Sequence, residues 1–155
     1  MKPPVPQLEH VCDISVTVSQ PYDLGTMPSG RRRLIPITGG SITGPRMSGK
    51  VLGAGADFQL ILNGGTHAHL DARYIIEMDD GAQIWVQNTA LRVASLEDSE
   101  RLANGIPVDP EKVYFRCQPR FETASPDWAW VNDRQFIGSG VRAPLGVFIS
   151  IYQVN

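Results

Sequence analysis

Apolar and polar residues alternate with a period of two along most of the chain. Leu8, His10, Cys12, Ile14, Val16 and Val18 share one parity, and Glu9, Asp13, Ser15 and Thr17 share the other. That spacing predicts a strand with one buried face. Leu34 to Thr38 reads as a second strand, ended by Gly39-Gly40, and Met47 to Leu52 as a third, closed by Gly53-Ala54-Gly55. Asp57 to Leu62 runs into Asn63-Gly64-Gly65, residues that tolerate positive φ and favour a hairpin. His67 to Met78 turns at Asp79-Asp80-Gly81, and Gln83 to Asn88 pairs back. Strands resume at Val113 to Arg120, Trp128 to Val131, Gln135 to Gly138 and Val147 to Val154, with a tight turn at Asn132-Asp133.

One stretch has a different period. Ser95 can cap a short helix near 96–104, with Asp98 three residues on, Leu96 and Leu102 on one face and Gly105 at its end. Pro107 and Pro110 stop it from continuing. Eight to ten short strands with meander connections and one short helix predict an all-β fold, a single antiparallel closed β-barrel. Closure is favoured because an open sheet of this size leaves two apolar edges. A barrel of about eight strands encloses room for one small ligand. Polar residues on inward parity therefore become site candidates.

Composition narrows the class. A chain of 155 residues with 42% hydrophobic and 19% charged residues suits one globular domain over 1–155, with 1–6 as a flexible N-terminus. Fourteen basic against sixteen acidic residues give a net charge of −2, which offers no footprint for nucleic acid or an anionic membrane. The N-terminal residues contain no apolar signal-peptide core, and no apolar run is long enough for a helical span. Cys12 and Cys117 both lie in alternating strands and read as unreactive, reduced thiols. Together these features point to a bacterial-type cytoplasm.

Several residues carry candidate chemistry. Asp57 follows a Gly-Ala-Gly-Ala run and opens an apolar strand; burial at a barrel mouth suits it to general-base work. Arg73 is a fixed cation for an oxyanion, and Tyr74 carries a phenol that can donate a proton. In Val113 to Thr123, Arg116 and Glu122 lie on the polar parity, which faces water unless Pro119 bends the strand and resets its phase. If it does, Arg116 stabilises negative charge and Glu122 shares the acid–base role with Asp57. Otherwise these charges close the barrel end as a salt bridge. Asn88 and Trp130 are candidates to orient a ligand. Trp128 shares parity with Trp130, so the two read either as core or as a stacking wall. His67, His69 and Asp71 share a face and form a weak metal-site alternative. The chain lacks a Gly-x-Ser-x-Gly elbow, a phosphate-cradling loop and a dinucleotide fingerprint, so no cofactor is expected.

The segments Pro36-Ile37-Thr38-Gly39-Gly40, Gly44-Pro45 with Ser48-Gly49, Asp57, Ala72-Arg73-Tyr74, Asp80-Gly81, Asn88, Tyr114-Phe115-Arg116, Pro119, Phe121-Glu122, Trp130, and Gly140 with Arg142 stand in a characteristic order. In that order the chain resembles the family of domain of unknown function 3237, also called UPF0311, over about Leu8 to Val154. The resemblance implies a small β-barrel similar in kind to allene oxide cyclase and dirigent barrels, and implies fold better than function. Ala90, Phe58 and Ala54 depart from the family pattern, and His67 and His69 lie outside it.

The function expected from these residues is cofactor-independent isomerase, cyclase or lyase chemistry on a small, largely apolar carbonyl- or carboxylate-bearing molecule. Asp57 or Glu122 would be acid or base, Arg73 and Arg116 would stabilise charge, and Tyr74 would relay a proton. The alternatives are a non-catalytic ligand-binding barrel and a structural oligomer. The expected partner is a small-molecule ligand, with a homo-oligomer as a further possibility and no nucleic acid or membrane.

Overall fold

The computed structural model describes residues 1–155. Its strands are β1 (Leu8–Val18), β2 (Tyr22–Met27), β3 (Gly30–Thr43), β4 (Gly49–Leu62), β5 (His67–Met78), β6 (Gln83–Val93), β7 (Tyr114–Glu122), β8 (Gln135–Ala143) and β9 (Gly146–Val154). All pairings are antiparallel, in the order β1-β9-β8-β7-β6-β5-β4-β3-β2, and β1 also pairs with β3. Eight strands therefore close into a barrel. The ninth, β2, is an arm that pairs only with β3.

The β1–β3 seam depends on glycine. Gly40 pairs with Val16 at φ +147°, and a Cβ there would lie 2.0 Å from the Ser15 carbonyl oxygen. Only a residue without a side chain lets the two backbones approach this closely.

Apolar side chains on inward parity fill one end of the barrel. Val11, Cys12, Ile14, Met47, Ile76, Met78, Ile84, Val86, Val131 and Ile151 are almost fully buried there. Phe121 and Phe136 meet edge to face with centroids 5.0 Å apart, a favoured aromatic geometry. Outside them, Arg46 stacks 4.0 Å over the Trp130 ring and donates to Gln153 at 2.9 Å, sealing that end.

The helix α1 (Leu96–Ala103) forms as its cap predicts: the Ser95 hydroxyl accepts from the Asp98 N–H at 3.0 Å. Both cysteines are free, and burial pushes the Cys12 thiol up to about 12 and Cys117 up to about 11. Both are therefore neutral and poorly nucleophilic. No helix is long and apolar enough to cross a membrane.

Several sequence expectations are corrected. Gly39-Gly40 does not end a strand; it lies inside β3, where the register to β4 shifts between Pro36 and Gly40. Met47–Leu52 and Asp57–Leu62 are parts of one strand, because Gly53-Ala54-Gly55 forms an outward bulge within β4. The arm β2 has no clear alternation and was not anticipated. Trp128–Val131 is not a strand but part of a 3₁₀ segment, Pro126–Asp133, where Pro126 sits at the first turn. Asn132-Asp133 closes that segment and is not a hairpin turn.

Candidate functional site

Unlike the packed end, the opposite half of the lumen is hollow. The register sets its layers. Asp57 on β4, Ala72 on β5 and Asn88 on β6 lie side by side, and Gln59, Leu70 and Ala90 form the next layer toward the mouth. One layer further out, Arg92 stands opposite Ala68 and Phe115. Across the barrel, Arg33 pairs with Gln59 and Arg142 with Val147. The resulting cavity is about 50 Å³, and its lining includes Ile35, Asp57, Tyr74, Arg92, Phe115 and Arg142. That is room for roughly four water-sized groups. A slim apolar group fits inside.

Glycine creates part of this space. A Cβ at Gly140 on β8 would lie 2.8–2.9 Å from the Phe115 ring, so the ring leans into the room that a side chain would take. Gly140→Ala is expected to push Phe115 into the lumen. Ligand affinity then falls roughly tenfold, measured by calorimetry, while far-UV circular dichroism stays that of the wild type.

Four buried polar atoms in or beside the hollow have no hydrogen-bond partner in the protein: Asp57 Oδ1, Gln59 Oε1, Tyr74 OH and Asn88 Oδ1. Tyr74 is only 2% exposed, and Gln59 and Asn88 are each 4% exposed. Buried polar groups are almost always paired, because an unmade bond costs about 1–3 kcal/mol. Four in one region make this hollow the candidate site.

Electrostatics separate their roles. Asp57 receives one hydrogen bond, from Gln59 Nε2 at 2.8 Å. The residue is half-exposed to the lumen, but its Oδ1 is sealed. Burial raises its pKa above the usual carboxylate value; the Gln59 bond and the charge of Arg92 oppose the rise without cancelling it. Burial also pushes the Tyr74 phenol up, so it stays protonated and can act as a donor. Arg92 is lowered to about 10, by burial first and then by the charge of Arg142.

The structure divides the residues proposed from sequence. Asp57 and Tyr74 line the hollow, and Asn88 is buried beside it. Arg73, Arg116 and Glu122 do not reach it. Arg73 is on the outer face, 2.9 Å from Asp71. The β6–β7 register runs unbroken from Trp85–Glu122 to Val93–Tyr114, so Pro119 causes no phase change. Arg116 and Glu122 consequently keep the outward parity; Arg116 lies 5.2 Å over Tyr114. Trp128 and Trp130 sit at the packed end, where the Trp128 Nε1–H donates to Asp80 at 2.8 Å. The possible metal set is not assembled either. His67 contacts Thr66 at 2.8 Å, Asp71 is engaged by Arg73 and Gln87, and no three such ligands converge.

The residues missed were Gln59, Arg33, Arg92 and Arg142 as site members. All four continue the inward parity of Asp57, Ile35, Asn88 and Gly138–Gly140, respectively.

The family model "Protein of unknown function (DUF3237)" matches residues 6–154. The chain belongs to the DUF3237 family. A UPF0311 protein of Rhodopseudomonas palustris (strain TIE-1) is 40% identical over 151 residues, which cover 97% of this chain and 98% of that one. The crystal structure of a conserved protein of unknown function from Rhodopseudomonas palustris shares 38% identity and superposes with a TM-score of 0.94, covering 99% and 100% of the two chains. An enzyme from Penicillium herquei has a similar barrel, with a TM-score of 0.74 at 23% identity, covering 100% and 98% of the two chains, a likeness of fold alone.

Proposed function

We propose that this barrel is a cofactor-independent enzyme of the isomerase, cyclase or lyase type. It acts by proton transfer on a small, largely apolar molecule bearing a carbonyl or carboxylate. The observation that carries the reading is the partnerless Oδ1 of Asp57, sealed at the side of an apolar hollow with the equally partnerless Tyr74 hydroxyl as a fellow lining group. Asp57 takes a proton from the carbon next to the carbonyl. The neutral Tyr74 O–H donates to the oxygen on which negative charge develops, and the Arg92 guanidinium adds electrostatic stabilisation. Return of the proton to a different carbon completes an isomerisation; addition of the enolate to an activated double bond of the same molecule breaks that π bond, and return of the proton to the resulting carbanion closes a ring with no group lost. Apolar walls hold the ligand in a reactive shape and keep water away. The charge-stabilising role expected of Arg73 and Arg116 passes to Arg92 and Arg142.

A similar barrel serves an enzyme in Penicillium herquei, so the fold is compatible with catalysis. The direct test is solvent deuterium exchange. Small ketones and 2-oxo acids with slim apolar chains are incubated with the protein in D2O, and loss of the α-proton signal is followed by NMR. Enzyme-dependent exchange supports the reading. Binding without exchange for every member of the set favours the non-catalytic carrier.

A further inference from the structure

The mouth of the hollow holds an imbalance of charge. Arg33, Arg92 and Arg142 enter it from β3, β6 and β8, and each feels the charge of Asp57. None of the three has a carboxylate within ion-pair distance. The chain's pairs are His10–Asp13, Arg31–Asp23, Arg46–Glu9, Lys50–Glu77 and Arg73–Asp71. Arg33 stands opposite Asp23 in the β2–β3 register and feels its charge, but the Asp23 carboxylate is taken up by Arg31 and makes no ion pair with Arg33. Other unpaired arginines, such as Arg101, Arg116 and Arg120, are exposed, where water solvates them. Arg92 and Arg142 are only partly exposed, and the one hydrogen bond between them is from Arg142 Nη1 to the Gly146 carbonyl at 3.0 Å. Three guanidiniums beside one protonated or ionised Asp57 leave two or three uncompensated positive charges in a partly desolvated mouth. Charges in that position are normally paired.

Below the arginines the walls are aliphatic and aromatic: Val18, Ile37, Leu70, Phe115, Val147 and Ile149. A charged rim over an apolar floor fits an amphiphile with one anionic end. The guanidinium fork matches the two oxygens of a carboxylate. We infer that the ligand is an apolar organic acid, its carboxylate seated among Arg33, Arg92 and Arg142 and its apolar body reaching past Phe115 toward Asp57 and Tyr74. This rests on the proposed function for the chemistry at Asp57, but the recognition of the anion stands on the arginines.

Calorimetry with hexanoate, hexanamide and inorganic phosphate, at neutral pH and low salt, tests it. Hexanoate is expected to bind at least roughly tenfold more tightly than hexanamide, the scale of a charge-assisted hydrogen bond. Arg92→Gln and Arg142→Gln each weaken hexanoate by about that factor and leave hexanamide unchanged, which also shows that the variants are folded. Arg142→Lys retains part of the preference, and the outer-face variant Arg116→Gln retains all of it. Equal affinity for acid and amide overturns the inference, as does a preference that survives in the Arg92→Gln/Arg142→Gln double variant. Phosphate binding as tightly as hexanoate also overturns it, because the apolar floor is then unused. Asp57→Asn separates the two readings. If it keeps the hexanoate preference but exchange continues undiminished, the acid–base reading fails and the anion site stands. If exchange is lost in Asp57→Asn while the wild type shows no acid preference, the reverse holds.

Discussion

Asp57→Asn is expected to lower the rate of α-proton exchange by roughly 10²- to 10⁴-fold, the range for removal of a positioned general base. The substitution is nearly isosteric, and Gln59 can still meet the new side chain, so the barrel stays closed. Tyr74→Phe removes only the donor and is expected to have a smaller effect. Stability moves in the opposite direction to activity. The folded state holds the Asp57 proton more tightly than the unfolded chain does, because burial raises the folded pKa above 3.8. Its favourable contribution is complete below 3.8 and is lost as pH rises through the folded value. At neutral pH the cost of keeping this carboxyl out of water burdens the fold, and asparagine lacks it. Urea denaturation should find Asp57→Asn more stable than the wild type at pH 7, with the gain shrinking as the solution is acidified toward pH 4. A wild type more stable than the variant at pH 7, with exchange unchanged, would place Asp57 among ordinary structural carboxylates.

The second large effect concerns closure. Gly40→Val is expected to cost about 4 kcal/mol or more, at the upper end for single substitutions. The new Cβ falls 2.0 Å from the Ser15 carbonyl oxygen and 3.1 Å from the Val16 Cα, both backbone atoms with no room to retreat. The φ of +147° at this position is a further penalty for a β-branched residue. Relief requires β1 and β3 to part, which opens the hollow to water. Gly81→Ala is the control: its φ is +87°, but nothing lies within 4 Å of an added Cβ. It should cost only about 1–2 kcal/mol. Equal losses for the two variants would show that the seam contributes no more than a turn does.

The strands of this barrel are readable in sequence where packing dictates the residue, and obscure where inward positions turn polar or glycine. Leu8–Val18 and His67–Met78 carry long runs of alternation and both appear with the predicted bounds, although β1 is interrupted by a bulge between His10 and Cys12. Three strands that border the mouth run beyond their alternating stretch. Gln83–Asn88 continues to Val93, Gln135–Gly138 to Ala143, and Leu34 is preceded by Arg31–Arg33 within β3. In every case the pattern stops at an inward polar residue or glycine, and those positions include Arg92, Arg142 and Arg33. Hydrophobic alternation falters in these strands where inward positions line the polar mouth of the hollow.

The bulge at Gly53-Ala54-Gly55 was invisible for a related reason. Glycine and exposed alanine carry a turn signal, and only the partner strand shows that pairing resumes at Gly55–Tyr74. Asp57 stands out in sequence by the Gly-Ala-Gly-Ala run before it and Tyr74 by its phenol, and both face the hollow; Asn88 enters through the family resemblance and is buried beside it. Arg73, Arg116 and Glu122 lie one residue out of phase with the lumen, and in a strand one residue is the difference between inside and outside.

The proton on Asp57 can be observed directly. Titration of ¹³C-labelled side-chain carboxyls by NMR, with the Asp57 signal assigned by its disappearance in Asp57→Asn, gives the midpoint of this one group. The expected midpoint lies above 3.8, and rises further in Arg92→Gln because that guanidinium favours the ionised form. A midpoint at or below 3.8, unmoved by Arg92→Gln, would mean that the carboxylate is solvated or paired and that the hollow contains no poised acid.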